Sequence, residues 1–285
     1  MISEITPQST QPTPKLDLIF LGTAAALQLP SFHCTCDICE AARADPGQQR
    51  TRASVALLGE ETVLIDAGPD LEAQLEREGI RQIDRIFITH WHYDHIAGLP
   101  GLGEPARIGR WPPIALYLPA EVAHHFDQEL AYLRGVFDLH PIQPGDRFDL
   151  PDGTWEVVKT THTDHSVGFV VGAGQRFAYL VDGVTPPRAT MARLQDLDFV
   201  VLEATMDELD EAWLNFSLGE AVACWRRIGA DRCILTHLSC HSWRDGKLIA
   251  GMSHTARAAY EAATPGLTFA YDSLRVSIRA SVAAS

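Results

Sequence analysis

The stretch ITHWHYDHIAG, residues 88–98, follows a short apolar run and places His90, His92, Asp94 and His95 within six positions. Neutral imidazole is the commonest metal ligand, and a carboxylate complements it. Residues two apart in an extended chain point the same way, so His90 and His92 can hold one ion. Asp94 and His95 follow where the chain turns towards a helix, and they can face a second ion. The stretch therefore predicts a two-metal site at a strand end, in preference to an exposed loop with chance histidines.

Two adjacent metals need further ligands, and later strand ends supply candidates. His165 precedes the apolar run VGFVVG, Asp182 closes FAYLVD, and His237 closes RCILTH. Taken singly, a histidine is more often solvated than a ligand, and an aspartate after a strand is often a turn former. Taken together, they form a series at strand tips, where loops gather into a site. His162 is an alternative to His165.

The rest of the pattern predicts an α+β fold. Runs of strands alternate with helices, without a repeat or a Gly-Ser linker, and two stacked sheets flanked by helices fit this order best. Strands are predicted at 16–22, 53–59, 62–68, 85–89, 154–161, 167–172, 177–182, 199–204, 232–237, 267–272 and 275–280. Helices are predicted at 70–79, 120–135, 187–195, 217–229 and 253–263.

Composition limits the classes of function. The net charge of −14 argues against a general nucleic-acid binder, which needs a basic surface. No apolar run reaches the roughly 18 residues that a membrane span requires. Residues 1–15 lack the features of a secretory signal and read as a disordered leader before a single domain at 16–285. We therefore expect a cytoplasmic protein, possibly a homodimer, that acts on a small molecule without nucleic-acid or membrane partners.

A cysteine cluster predicts a second metal site. The segment HCTCDIC contains Cys34, Cys36 and Cys39, and three thiolates supply three corners of a zinc tetrahedron. In a chain without an export signal, such a cluster is more often metal-binding than disulfide-forming. Cys240, three residues beyond His237, is the preferred fourth ligand, with His241 and His33 as weaker alternatives. Cys224 and Cys233 fit the core of a helix and a strand.

These motifs resemble the metallo-β-lactamase superfamily. The resemblance rests on HxHxDH after a strand, on LIDAG at 64–68, and on the later His, Asp and His at strand ends. It implies a four-layer αββα sandwich with a binuclear site, in which Asp66 lies behind the ligands. The implied ligands are His90, His92 and His165 for one metal and Asp94, His95 and His237 for the other, with Asp182 bridging. Asp182 or Asp94 would orient the attacking hydroxide.

The cysteine cluster and the segment LGTAAALQLPSF narrow the resemblance to the cyclic ribose-phosphate phosphodiesterase group, which adds a structural zinc near the N-terminus. The B protein of pyrroloquinoline quinone biosynthesis shares the cluster but lacks the full HxHxDH motif. In the phosphodiesterase group a histidine precedes the helix that here begins SLGEAVAC, and Asn215 takes its place. Asparagine can donate a hydrogen bond to a phosphate, but it cannot shuttle a proton near neutral pH.

The expected function is hydrolysis of a small phosphodiester or cyclic phosphate by a metal-bridging hydroxide. The expected cofactors are two divalent ions, zinc, manganese or iron, in the active site, and one structural zinc. Because Asn215 removes a proton donor, hydrolysis of an ester, lactone or amide is an alternative. An iron-dependent or biosynthetic metalloprotein on the same fold is another, and a non-catalytic binding protein is a third. The complete ligand series argues against the third, and the acidic chain argues against tRNA processing.

Overall fold

The computed structural model describes residues 15–208 and 214–279. The predicted leader lies outside these residues except for Lys15, with which the first strand begins. The first sheet contains β1 (Lys15–Gly22), β2 (Ser54–Leu58), β3 (Thr62–Ile65), β4 (Arg85–Phe87), β5 (Ile114–Pro119), β6 (Phe137–Ile142) and β16 (Arg275–Arg279). The second contains β7 (Arg147–Leu150), β8 (Gly153–Lys159), β9 (Val167–Gly172), β10 (Arg176–Leu180), β11 (Phe199–Glu203), β12 (Arg232–Thr236) and β15 (Leu267–Phe269). A separate hairpin pairs β13 (His241–Arg244) with β14 (Lys247–Ala250).

Helices pack on the outer faces of the two sheets, except for the helix at 37–44, which packs with the cysteine cluster. They are α1 (Asp37–Ala44), α2 (Leu71–Glu78), α3 (Tyr93–Ile96), α4 (Gly103–Gly109), α5 (Ala123–Glu129), α6 (Arg188–Met191), α7 (Leu218–Ile228) and α8 (His254–Ala263). None of the helices in the described ranges is both long and apolar enough to cross a bilayer.

Three layers of buried side chains hold the sheets and helices together. The central layer packs the inner faces of both sheets, with Phe20 and Phe87 from the first and Phe169 and Tyr179 from the second. A second layer joins the first sheet to α2, α4 and α5, and a third joins the second sheet to α7. This order, helix, sheet, sheet, helix, confirms the predicted αββα sandwich. Period-two alternation explains it, because each strand presents one face to each neighbouring layer.

The directions of the parallel strands determine where the candidate site lies. β3 runs parallel to β4, and β10, β11 and β12 run parallel to one another. The carboxyl ends of each parallel set meet at one sheet edge, so the residues that follow these strands come together.

Some predicted elements differ from the structure. The predicted helix at 120–135 is a short α5 between two 3-10 turns, and the helix at 187–195 is only α6. The sequence analysis did not predict β5, β6, β7, the β13–β14 hairpin, α1 or α4, although β5 (IALYLP) has the apolar run of a buried strand. β6 contains Pro141, and β7 is a half-exposed edge strand without an apolar run, so neither has the pattern of a buried strand.

Candidate metal centre

Seven side chains converge at the common strand edge in two groups. The ligand atoms of each group all lie within 4.8 Å of one another. One group contains His90, His92, His162 and Asp182, and the other contains Asp94, His95, Asp182 and His237. Asp182 belongs to both groups, so its carboxylate lies where it can bridge two ions.

The segment after β4 supplies four of these side chains. His92 is extended, with φ −85° and ψ 151°, and α3 begins at the next residue. His90 Nε2 lies 2.9 Å from His92 Nδ1, whereas His95 Nε2 lies 3.3 Å from the Asp94 carboxylate. The change from extended chain to helix therefore turns the first pair towards one group and the second pair towards the other, as the sequence predicts.

Asp182 is the centre of the cluster. One of its carboxylate oxygens lies 3.0 Å from His95 Nε2 and 3.4 Å from His90 Nε2, and the other lies 3.1 Å from His237 Nδ1. Asp182 and His237 have left-handed φ values of 58° and 57°, and Asp66 has 65°. Asp66 and His237 directly follow a strand, and Asp182 comes two residues after one. The left-handed conformation at these strand ends directs each side chain into the site. Such conformations are uncommon outside glycine and cluster at functional sites.

The structure places His162, and not His165, in the cluster. His162 Nε2 lies 3.3 Å from His92 Nδ1, and its Nδ1 donates to the Leu214 carbonyl at 2.8 Å. His165 is exposed, and neither ligand group contains it. The structure therefore reverses the predicted preference for His165 over His162 as a ligand. The cause is the bridge between Thr161 and Val184, which holds the start of the loop beside Asp182, whereas the chain at His165 has already turned back towards β9.

A second layer of residues fixes the histidine rings. Asp66 is fully buried and accepts hydrogen bonds from the Thr89 amide at 2.8 Å and from His95 Nδ1 at 2.7 Å. The Thr89 hydroxyl donates to Asp66, and its oxygen lies 3.0 Å from His90 Nδ1. These bonds place the Nδ1 protons on the outer side of both rings, so Nε2 faces the cluster as an acceptor. Asp66 therefore orients the ligand histidines in addition to forming the turn after β3.

Glu203 is a buried site residue that the sequence analysis missed. It closes β11 and accepts hydrogen bonds from the Gly183 amide at 2.6 Å, from Asn215 Nδ2 at 2.9 Å and from the Thr205 hydroxyl. Burial, together with the Asp182 carboxylate, raises the pKa of Glu203 to about 7. The signal was available, since a glutamate is rarely the last residue of a fully apolar strand such as FVVLE without a buried partner.

Asn215 lies at the edge of the cluster. Its Nδ2 donates to Asp182 at 3.0 Å and to Glu203. The helix cap is a different residue, because Ser217 and Glu220 form the capping box of α7. Asn215 therefore connects two carboxylates.

The donor set fits a pair of divalent cations. His237 Nε2 is buried without a hydrogen-bond partner and lies 3.5 Å from the Asp94 carboxylate. Burial lowers the pKa of His90 well below its ordinary value, which keeps that imidazole neutral and able to ligate. Although burial opposes it, His237 and His95 hold the pKa of Asp94 well below its usual range. Although burial opposes it, the neighbouring carboxylates raise the pKa of His95 and raise that of His237 to about 8, and a bound cation would displace these ring protons. Imidazoles together with ionised carboxylates are the ligand chemistry of zinc, manganese and iron.

The cysteine cluster forms a second candidate site. The ligand atoms of Cys34, Cys36, Cys240 and His241 lie within 4.8 Å of one another, with Cys34 Sγ 3.4 Å from His241 Nε2. Cys39 is fully buried, and its thiol interacts with Cys34 and Cys240. The described residues therefore offer five donors for a tetrahedral ion, with either Cys39 or His241 as the fourth beside Cys34, Cys36 and Cys240. His33 lies outside the group and pairs with Ser31. Cys224 and Cys233 are in the core, as predicted.

A cavity of about 360 Å³ opens beside the two histidine groups, and its lining includes His92, His162, Asp182 and Asn215. An αββα sandwich with a two-metal ligand set at its strand edge is the architecture of a metallo-β-lactamase. The Beta-lactamase superfamily domain matches residues 61–238, and the chain belongs to that superfamily. The predicted family is thus confirmed, and the fold implies that the chain binds divalent metal.

Three similar proteins bear on the function. The coenzyme PQQ synthesis protein B of Methylobacterium radiotolerans is 28% identical over 225 residues, which cover 66% of this chain and 73% of that protein. The ribonuclease Z of Nocardia farcinica is 33% identical over 134 residues, 44% of each chain. A crystal structure of a diphosphatase from the PhnP family has a TM-score of 0.78 and 25% identity, and it covers 93% of this chain and 98% of that one. The chain is therefore similar to hydrolases and to a biosynthetic protein of one superfamily.

Proposed function

We propose that this protein is a binuclear metal-dependent hydrolase of a small phosphodiester or cyclic phosphate. The supporting observation is the pair of four-residue groups that share Asp182 beside a cavity. In this proposal His90, His92 and His162 hold one ion, Asp94, His95 and His237 hold the other, and Asp182 bridges them. When bound, two divalent ions would supply Lewis acidity and activate water near neutral pH.

The chain's own residues supply the positioning. Asp66 and Thr89 direct Nε2 of His90 and His95 into the cluster, and the Thr205 hydroxyl lies 2.9 Å from His237 Nδ1. These contacts hold the ligands in place before a substrate arrives, so little reorganisation is needed during the reaction. Asp182 or Asp94 would orient the nucleophile.

Asn215 limits which leaving groups the substrate can have. Its amide protons already bond Asp182 and Glu203, and an amide cannot protonate a departing alkoxide. We therefore expect the best substrates to have leaving groups that depart without a proton. The same reasoning keeps an ester, lactone or amide as an alternative substrate.

A second candidate function is a biosynthetic metalloprotein with an iron or zinc centre. The similarity to coenzyme PQQ synthesis protein B over two thirds of the chain favours it. The complete HxHxDH motif and the shared Asp182 favour the hydrolase. We further propose that the cysteine site binds one zinc and that the protein acts in the cytoplasm on a small molecule.

The test begins with metal analysis of protein purified without added metal. The loaded protein is then assayed with chromogenic diesters, monoesters, lactones and amides. Diester hydrolysis is expected, together with its loss in Asp182→Ala, whose fold is checked by circular dichroism. Asp164→Ala is the matched control, because Asp164 is exposed and belongs to neither ligand group. Turnover by Asp182→Ala with both metals bound would overturn the assignment, and turnover of lactones or esters alone would favour the alternative substrate.

A further inference from the structure

The cavity beside the ligand groups has one apolar side. The segment that follows β1 contributes Ala25, Ala26 and Leu27, and the chain after β11 contributes Met206. Leu27 is 50% exposed, so its side chain is available to a bound molecule. Leu214, whose carbonyl accepts from His162, is 51% exposed.

Backbone hydrogen bonds hold this side of the cavity in place. The Ala24 amide donates to the Thr51 carbonyl at 2.7 Å, and the Ala25 amide donates to the Leu238 carbonyl at 3.1 Å. Leu29 and Arg50 then exchange two backbone hydrogen bonds, each of 2.8 Å. Because it is fixed before and after Leu27, the apolar surface is already formed when a substrate enters, and no ordering cost falls on binding.

Neither lysine nor arginine is among the described residues that line the cavity. Arg52 donates to the Ala26 carbonyl from behind, but its guanidinium is 3.0 Å from Asp70 and is neutralised there. Among the described residues that line the cavity, positive charge for a substrate can therefore come only from those at the metal end.

The remaining polar groups do not favour a second anion. Thr205 and Ser239 are neutral, and Asp94 and Asp182 are acidic. An anionic group that reached past the metals would lose its hydration against Ala26, Leu27 and Met206 and would find the neutral Ser239 hydroxyl there but no charged partner among the described lining residues. Burial of an unpaired charge is strongly unfavourable. An apolar substituent would instead gain from leaving water.

We infer that the substrate carries a single negative charge, at the group that is hydrolysed, and an apolar substituent that packs on Ala25–Leu27 and Met206. This inference rests on the proposed function and narrows it to monoanionic diesters with an alkyl or aryl arm. It excludes substrates that carry a second phosphate or carboxylate. A cavity of about 360 Å³ suits one ring or a short chain beside the scissile group.

Three substrates with one leaving group test the inference on the metal-loaded protein. They are the p-nitrophenyl phosphodiesters of benzyl alcohol, of its 4-carbamoyl derivative and of its 4-carboxy derivative. The carbamoyl and carboxy groups match in size and differ in charge. We expect kcat/KM for the carboxy diester to be at least about tenfold below that of the carbamoyl diester, with the benzyl diester fastest.

The variant Leu27→Lys should narrow the difference between the carboxy and carbamoyl diesters. A lysine at the mouth supplies the missing cation, so the carboxy diester should gain about fivefold relative to the carbamoyl diester. The benzyl diester should become slower, because its apolar contact is lost. Leu248→Lys is the matched control, since Leu248 is 54% exposed on β14 and does not line the cavity. It should leave the ratios between the three rates unchanged.

Calorimetric binding of methyl benzylphosphonate and methyl 4-carboxybenzylphosphonate separates the inference from the proposed function. Failure to hydrolyse any diester, with preferential binding of the uncarboxylated ligand, would overturn the hydrolase and support the inference about the cavity. Equal binding or equal turnover of the carboxylated and uncarboxylated compounds would overturn the inference while leaving the hydrolase in place.

Discussion

Asp66→Asn should weaken metal binding without unfolding the protein. Asp66 is at φ 65°, a conformation that asparagine also tolerates, so the backbone can remain as it is. The oxygen of the amide can still accept from Thr89. The new NH₂ group, facing His95 Nδ1, would donate to it and move the ring proton to Nε2, the atom that faces Asp94 and Asp182. A protonated Nε2 cannot ligate a metal.

The expected losses of metal affinity and of stability in Asp66→Asn follow from the hydrogen bonds that change. Removing a partner that orients a metal-ligating histidine costs about 10- to 100-fold in metal affinity. This range corresponds to about 1.4–2.8 kcal/mol. Exchanging one charge-assisted bond for a neutral one should lower the free energy of unfolding by roughly 1 kcal/mol. Asp66→Ala would leave three buried donors unpaired, at about 1–3 kcal/mol each, which approaches the whole stability of a domain. Asparagine is therefore the informative change.

The measurement is competition with a chelating indicator for zinc or manganese, followed by thermal unfolding of the same samples. Asp84→Asn is the control, because Asp84 accepts from the Thr62 amide at 2.8 Å and belongs to neither ligand group. The reasoning would be refuted if Asp66→Asn bound both active-site ions as tightly as the parent. It would also be refuted if Asp84→Asn lost the same affinity.

Three further changes test the two sites. Cys34→Ser should lower the zinc content by about one ion per chain, and elemental analysis showing no change would count against the thiol site. His162→Ala should lower active-site metal affinity whereas His165→Ala should not; equal losses in both would contradict the geometry. Asn215→His should accelerate alkyl diesters by roughly 10²–10⁴-fold, with little gain for bis-p-nitrophenyl phosphate, since only alkoxides need a proton. The same small change for both substrates, at constant metal content, would exclude a proton-donor position beside Glu203.

The sequence was most informative where ligands are close together in the chain. His90, His92, Asp94 and His95 follow one strand, so a change from extended chain to helix fixes their directions. Asp182 and His237 come from distant segments, yet each follows a parallel strand, and parallel strands bring their ends together without further information. The αββα order followed from the same strand and helix pattern.

The sequence was least informative where tertiary contacts determine which side chains reach a site. His162 and His165 lie in one irregular loop, and only the Thr161–Val184 bridge determines which of them faces the cluster. Glu203 was missed because its partners, the Gly183 amide and Asn215, come from other elements. For the cysteine site, the sequence offered His241 only as a weaker alternative to Cys240, and it could not show that both side chains lie beside Cys34 and Cys36.

The left-handed residues at the strand ends limit how this centre could be moved to another protein. Asp66, Asp182 and His237 each require a backbone conformation that costs an ordinary residue roughly 1–2 kcal/mol. A designer who copied only the side chains onto regular strands would point these three groups away from the ions. The transferable unit is therefore the strand together with its left-handed exit, and recombination or grafting should preserve the centre only when both are carried as one piece.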